Sequence, residues 1–248
     1  MPERNYVQVK YDSVQAYARV GGALYLTIII IGLLGEAVIR NSLVVAGDAA
    51  VTAQRILESE LLWRLGVAGQ LVLLICAVAL TFIWYVLLRP VNRNITLLAV
   101  FFALISLAVE SVSALHLQAV LTPLSNVALK VADPQQLHAL AYLSVVSHSQ
   151  AFGVALIFFG VECLIVGYLI RKSGYFPKLI GTMMQIAGLC YLINSFSLVL
   201  YPPLAHLLFP AILFPALVAE GSCCLWLLIK GVNVAAWERQ TRTSLERM

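Results

Sequence analysis

Six apolar runs, each about twenty residues or longer, constrain this chain more than any other feature. They cover Val20–Ile39, Leu61–Leu88, Ile95–Val120, Ser149–Ile170, Lys178–Leu200 and Leu204–Ile229. A helix rises about 1.5 Å per residue, so roughly 20 apolar residues cross the hydrocarbon core of a bilayer. Backbone groups in lipid must find partners within the segment or in a closed barrel. Barrel strands are only about 10 residues long, so runs of twice that length are helices. Composition agrees. The 248 residues are 61% hydrophobic and 11% charged, with mean hydropathy +0.92; soluble domains are about 45–50% apolar and about 25% charged. The expected fold is all-α, an integral membrane bundle of six transmembrane helices. The expected organisation is a cytoplasmic N-terminal segment with a weakly amphipathic, interfacial-helix pattern over 1–19, a six-span transmembrane domain over 20–230 and a cytoplasmic basic tail over 231–248. The first run starts only at Val20 and lacks a small-residue cleavage site, so no cleavable signal peptide is expected.

Charge placement sets the expected orientation. Twelve of the sixteen Lys and Arg residues fall in the N-terminal segment, the loops after spans 2 and 4, and the C-terminal tail. The other four are Arg40, Arg55, Arg64 and Lys130. Basic residues favour the cytoplasm, which places both termini inside, in a multi-pass cell-membrane protein. The net charge of +4 then reflects topology, and no nucleic-acid partner is expected.

Local signals punctuate the spans. Asp48 is a good N-cap for a short helix through Glu60. Asp133-Pro134 reads as an N-cap followed by an N1 proline, and Pro177 starts the fifth span. Short loops make spans 2–3 and 4–5 antiparallel neighbours. Pro210 and Pro215 are expected to kink span 6. Cys76, Cys163, Cys190, Cys223 and Cys224 all lie in apolar runs, where they read as small buried residues, with neither disulfide nor zinc spacing.

The segments LRPVNRN at 88–94, ARVGGALYLTIIIIGLLGE at 18–36, RNSLVVAGDAA at 40–50, SGYFPKLIG at 173–181 and YLINSF at 191–196 carry a family resemblance. The chain resembles an uncharacterised, domain-of-unknown-function family of small, mostly bacterial multi-pass membrane proteins. The resemblance covers nearly the whole chain. It implies a bacterial-type membrane protein, for which a bacterial cytoplasmic membrane is the expected location, and it brings no activity, cofactor or catalytic residue.

Function must therefore be read from the polar groups within the spans, where ionisable side chains are costly. Glu36 lies about 24 Å from the inner end of span 1 and Glu110 about 22 Å along span 3, so both belong to the outer half. Arg40, Arg64, Gln70, His116, His148, Asn194 and His206 map to the same outer third or its edge. These nine residues form a candidate pocket. Glu162 and Glu220 lie roughly 12–15 Å from the inner ends of spans 4 and 6 and form a candidate intramembrane polar path. Each has a plainer reading. Arg40 and Arg64 can snorkel to headgroups, Glu36 and Arg40 have i,i+4 spacing for a local pair, and a buried carboxyl can sit neutral in a packed network.

The leading expectation is a protein that binds or transports a small solute or lipid through an outward-facing polar pocket, with membrane lipids around it. The alternative is a non-catalytic accessory or scaffold protein. A metal-assisted hydrolase using His116, His148 and His206 with Glu110 ranks lower, because no HExxH or GxSxG signature is present. Bis-histidine haem ligation ranks last. No cofactor, metal or catalytic residue is assigned.

Overall fold

The computed structural model describes residues 2–125 and 133–245, without the side chains of residues 2–13, 206 and 245. The side chains behind the interfacial pattern of the first residues, Lys130 and Arg247 in the charge count, and the His206 imidazole lie outside the described set. Among the described residues there is no strand, and six helices are long and apolar enough to cross a membrane. In order, the helices are α1 (Pro2–Leu33), α2 (Asn41–Leu43), α3 (Ala49–Glu58), α4 (Glu60–Leu88), α5 (Arg93–Ala119), α6 (Leu121–Ser125), α7 (Pro134–Ser173), α8 (Lys178–Leu200), α9 (Pro202–Leu208), α10 (Phe214–Ile229) and α11 (Val234–Leu245).

Capping chemistry places several boundaries. Asp48 Oδ1 accepts from the Val51 amide at 2.9 Å and starts α3. Asp133 Oδ1 accepts from the Gln135 amide at 3.1 Å, and Pro134 opens α7. Span 1 differs from expectation. Its helical path runs to Leu43, and Leu34–Arg40 widens into a π-helical turn between α1 and α2. Span 6 differs as well. A kinked helix from Leu204 is replaced by the short α9, a 3₁₀ turn at Ala211–Leu213, and α10. Pro210 precedes the 3₁₀ turn, and Pro215 occupies the first turn of α10, where its missing N–H has no helical partner to lose. The prolines therefore start a helix instead of bending one.

The chain divides into two compact units that share the long helices. Unit one comprises Met1–Leu26, Ala77–Ser106 and Leu156–Met248; unit two comprises Thr27–Cys76 and Leu107–Ala155.

In unit one, α7 and α8 form an antiparallel hairpin about the Ser173–Pro177 turn, where Gly174 has φ +73°. A Cβ on Gly167 would lie 2.5 Å from the Gly181 carbonyl oxygen, and one on Gly188 would lie 2.6 Å from that of Gly160. Only glycine allows two helices this close, the small-residue packing common inside membranes. Elsewhere in the unit, Gly22 of α1 meets the backbone of Leu228, and Cys224 Sγ donates to the Gly22 carbonyl at 3.4 Å. Helix ends leave carbonyls without partners, and here side chains supply them. The Leu87 carbonyl accepts from Tyr175 Oη at 2.7 Å and from Trp237 Nε1 at 3.0 Å, which ties α4, the α7–α8 turn and α11 together. Gln15 donates to the Lys230 carbonyl at 2.8 Å and accepts from the Val232 amide at 3.2 Å, closing the end of α10. Burial raises the Tyr175 phenol well above its ordinary range.

In unit two, α3 lays Thr52, Ala53 and Ile56 inward. Ile56 joins Leu43, Trp63, Leu117, Val120 and Val145 in an apolar cluster. Trp63 Nε1 donates to the Leu117 carbonyl at 3.0 Å, and Gln70 bonds Glu110. Seven residues back along α4 thus match seven forward along α5, the antiparallel register expected for spans 2 and 3.

Candidate functional site

Unit two brings seven of the nine candidate pocket residues onto four helical paths. Glu36 and Arg40 stand on the π-helical turn, where the Arg40 guanidinium donates to the Glu36 carboxylate through both Nε and Nη2. Glu36 is about half exposed at 49%, and Arg40 is 19% exposed. A π-helical turn inserts an extra residue into the helix, so both side chains project differently than in a regular α-helix, and such turns often occur at functional sites. Gln70 of α4 is buried and gives Nε2–H to Glu110 Oε1 of α5 at 2.7 Å.

His148 of α7 is 3% exposed and stacks on Phe152, with ring centroids 6.1 Å apart. Ser113 of α5 meets it three times, one contact being His148 Nδ1 to the Ser113 carbonyl at 3.2 Å. Ser113 Oγ donates to the His148 carbonyl at 2.9 Å and lies 2.6 Å from Nδ1. A hydroxyl has a single proton; given to the carbonyl, it leaves Oγ as an acceptor, so Nδ1 carries the ring proton and Nε2 the lone pair. Ser113 was not marked from sequence, because a serine in an apolar run resembles any small core residue. Arg40 acts electrostatically on both Glu110 and His148, and Glu36 and His116 act on His148. His116 is partly buried.

Arg64 does not join this set as a free cation. It pairs with Glu60 on the same helix, Nη2 to Oε1 2.6 Å, and both are substantially exposed. Asn194, partly buried, belongs to unit one, as does the backbone of His206. Among the described residues, no three His, Cys, Asp or Glu side chains are grouped closely enough to hold a metal. Glu110, His116 and His148 are not grouped in that way, and the His206 imidazole of the hydrolase reading lies outside the described side chains.

Unit one holds the second polar set. Glu220 of α10 is 9% exposed and accepts a short hydrogen bond from Tyr191 Oη of α8. Tyr25 of α1, itself buried, brings a second hydroxyl to the neighbourhood of that carboxyl. Glu162 and Cys163 of α7 and Cys223 of α10 lie within electrostatic range. The glutamates stood out in the sequence; the tyrosines did not. Their signal was position. Membrane tyrosines concentrate at the interfaces, and Tyr25 and Tyr191 sit well inside their spans.

The fold and these sites define a multi-pass α-helical membrane protein whose polar groups are gathered into two internal sets. Residues 20–231 match the family model described as "Domain of unknown function (DUF4386)". The chain belongs to this family. It is also similar to an uncharacterized protein of Archaeoglobus fulgidus, with 29% identity over 129 residues, covering 52% of this chain and 64% of the relative. The match thus spans less than two thirds of that relative's length. No solved structure matches.

Proposed function

We propose that the protein binds a small polar solute or a lipid headgroup among the helices of unit two, without chemistry on it. The observation that carries this reading is the set of polar contacts in unit two. The Glu36–Arg40 pair on the π-helical turn, the Gln70–Glu110 hydrogen bond between α4 and α5, and the Ser113–His148 contact between α5 and α7 gather charged and polar groups from four helical paths. Gln70 and Ser113 already hold Glu110 Oε1 and His148 Nδ1. The polar capacity left for a ligand lies at the half-exposed Glu36, at Arg40, at the second Glu110 oxygen and at His116. A zwitterionic or anionic headgroup suits an arginine flanked by carboxylates, because the guanidinium offers a planar fork to an oxyanion. The charge distribution of the loops supports a cytoplasmic-membrane location with both termini inside.

The test is native mass spectrometry of protein purified with its lipids. Wild type should carry a bound adduct that Arg40→Gln and Glu110→Gln lose and Arg64→Gln keeps. A bare wild-type protein, or an adduct that all three variants retain, refutes the site.

The second reading is a non-catalytic accessory protein whose polar groups hold helices together. The satisfied pairs Gln70–Glu110 and Ser113–His148 favour it. On that reading Glu110→Gln lowers thermal stability and changes no adduct.

A further inference from the structure

We propose that Glu220 is a proton-exchange site within the membrane-spanning region, and that Glu162 and the cavity beside it connect Glu220 to the 88–96 end of α4 and α5. The first support is the Tyr–Glu–Tyr arrangement. A carboxylate in an apolar span is expensive unless its lone pairs are met. Here a hydroxyl from α8 bonds the carboxyl, and one from α1 is brought to its neighbourhood. Phenol hydroxyls both donate and accept. The arrangement therefore keeps hydrogen bonds whether the carboxyl is charged or neutral, as a group that takes up and releases a proton requires.

The second support is a water-sized space. A cavity of about 10 Å3 lies against Glu162 and is lined also by Thr81, Tyr85 and Thr96, and such a volume is about that of one water-sized probe sphere. Thr81 spends its proton on the Ala77 carbonyl at 2.9 Å and Thr96 on the Asn92 carbonyl at 2.8 Å. The rest of the wall is apolar (Trp84, Leu88, Ala99, Val100 and Val166), so the partners open to a water there are Glu162 and the lone pairs that the two threonine oxygens keep. Thr96 is three residues from the exposed Arg93 at the start of α5, about 4.5 Å along the axis. Glu162, which also lines this space, lies within electrostatic range of Glu220.

The groups facing Glu220 are Tyr25 from α1, Glu162 and Cys163 from α7, Tyr191 from α8, and Cys223 on its own helix. Among the described residues none of these groups is a cation, so a proton is the charge-balancing ligand this set can take. One turn beyond Tyr191 on the same face of α8, Ser195 is fully buried with an unpartnered hydroxyl, a further group able to pass or hold a proton. The step is simple. A hydronium gives its proton to a Glu220 carboxylate oxygen, leaving water and a neutral carboxylic acid; release is the reverse, and no other bond changes.

Infrared pH-difference spectroscopy of the protein in lipid tests this. Wild type should show a carboxylic C=O band that grows on acidification. In Glu220→Gln that component should fall to background. In Tyr191→Phe, which keeps the ring and its packing on Phe159, its frequency and midpoint should shift. Thr96→Val should slow its exchange in D2O without moving its midpoint. A titrating band unchanged in both Glu220→Gln and Tyr191→Phe overturns the proposal; if Glu220→Gln fails to fold, Tyr191→Phe decides alone. The readout involves no bound solute, so its failure is separable from failure of the unit-two site.

Discussion

Gly167→Ala is a sharp perturbation of the α7–α8 hairpin. The new methyl would sit 2.5 Å from the Gly181 carbonyl oxygen and 2.9 Å from the Gln185 amide nitrogen, both backbone atoms that cannot rotate away. Ordinary contact begins at 3.4 Å, so the helices must part by about 0.9 Å, a gap that forfeits roughly a quarter to a half of each van der Waals well along the seam. Overpacking of this kind costs about 1–3 kcal/mol. Against it stands the gain of replacing a helical glycine by alanine, about 0.5–1 kcal/mol. Gly221→Ala isolates that gain, because a Cβ there meets nothing within 4 Å. The two variants should therefore move in opposite directions. At about 2–4 °C per kcal/mol for a chain of this size, thermal unfolding in one detergent should separate them by several degrees. If Gly167→Ala unfolds at or above the temperature of Gly221→Ala, the close approach of α7 and α8 is not what holds the hairpin.

Three further outcomes follow from the same contacts. Cysteines placed at the exposed Arg93 and Lys172 should label from one side of the membrane and those at Ala50 and Gln135 from the other, and any mixture refutes the six-span topology. Trp237→Phe removes one of two donors to the Leu87 carbonyl, worth about 0.5–1.5 kcal/mol; limited proteolysis within α11 should speed up roughly two- to tenfold, and an unchanged rate would show that the indole N–H does not hold the helix. Burial raises the Tyr175 phenol, so its contribution to stability is present below the ordinary tyrosine pKa of about 10 and is lost as pH rises beyond it. The alkaline loss of stability should be shallower in Tyr175→Phe, and identical slopes would exclude that residue as the cause.

The six spans were legible because membrane insertion is a one-dimensional constraint: a run of apolar residues must be helical whatever it packs against. The caps at Asp48 and Asp133 were legible for a similar reason, since each acts on amides two or three residues away. The misread places involve choices between two local solutions. Pro210 and Pro215 fit a kinked helix or a new helix start equally well by spacing, and the structure takes the start. The π-helical turn at Leu34–Arg40 has no glycine–proline signature, so a regular helix was the natural reading.

Side-chain partnership was less legible, and depth shows why. Placing polar residues by distance along a span puts Glu36, Arg64 and Glu110 at similar levels, but level leaves azimuth open. Arg64 found its acid four residues back, at Glu60, and that local pair removes it from Glu36. Glu36–Arg40 was readable because i,i+4 spacing fixes both level and azimuth on one helix. Gln70–Glu110 and Tyr191–Glu220 join different helices, and their azimuths emerge only once close-packed seams such as Gly160–Gly188 set the rotation of each helix. What the sequence can supply in such cases is a demand for a partner. A glutamate or a phenol far from either interface must be met by another polar group. Applied to tyrosines as well as to acids, that demand marks Tyr25 and Tyr191 as candidate partners of Glu220 before any coordinate is known.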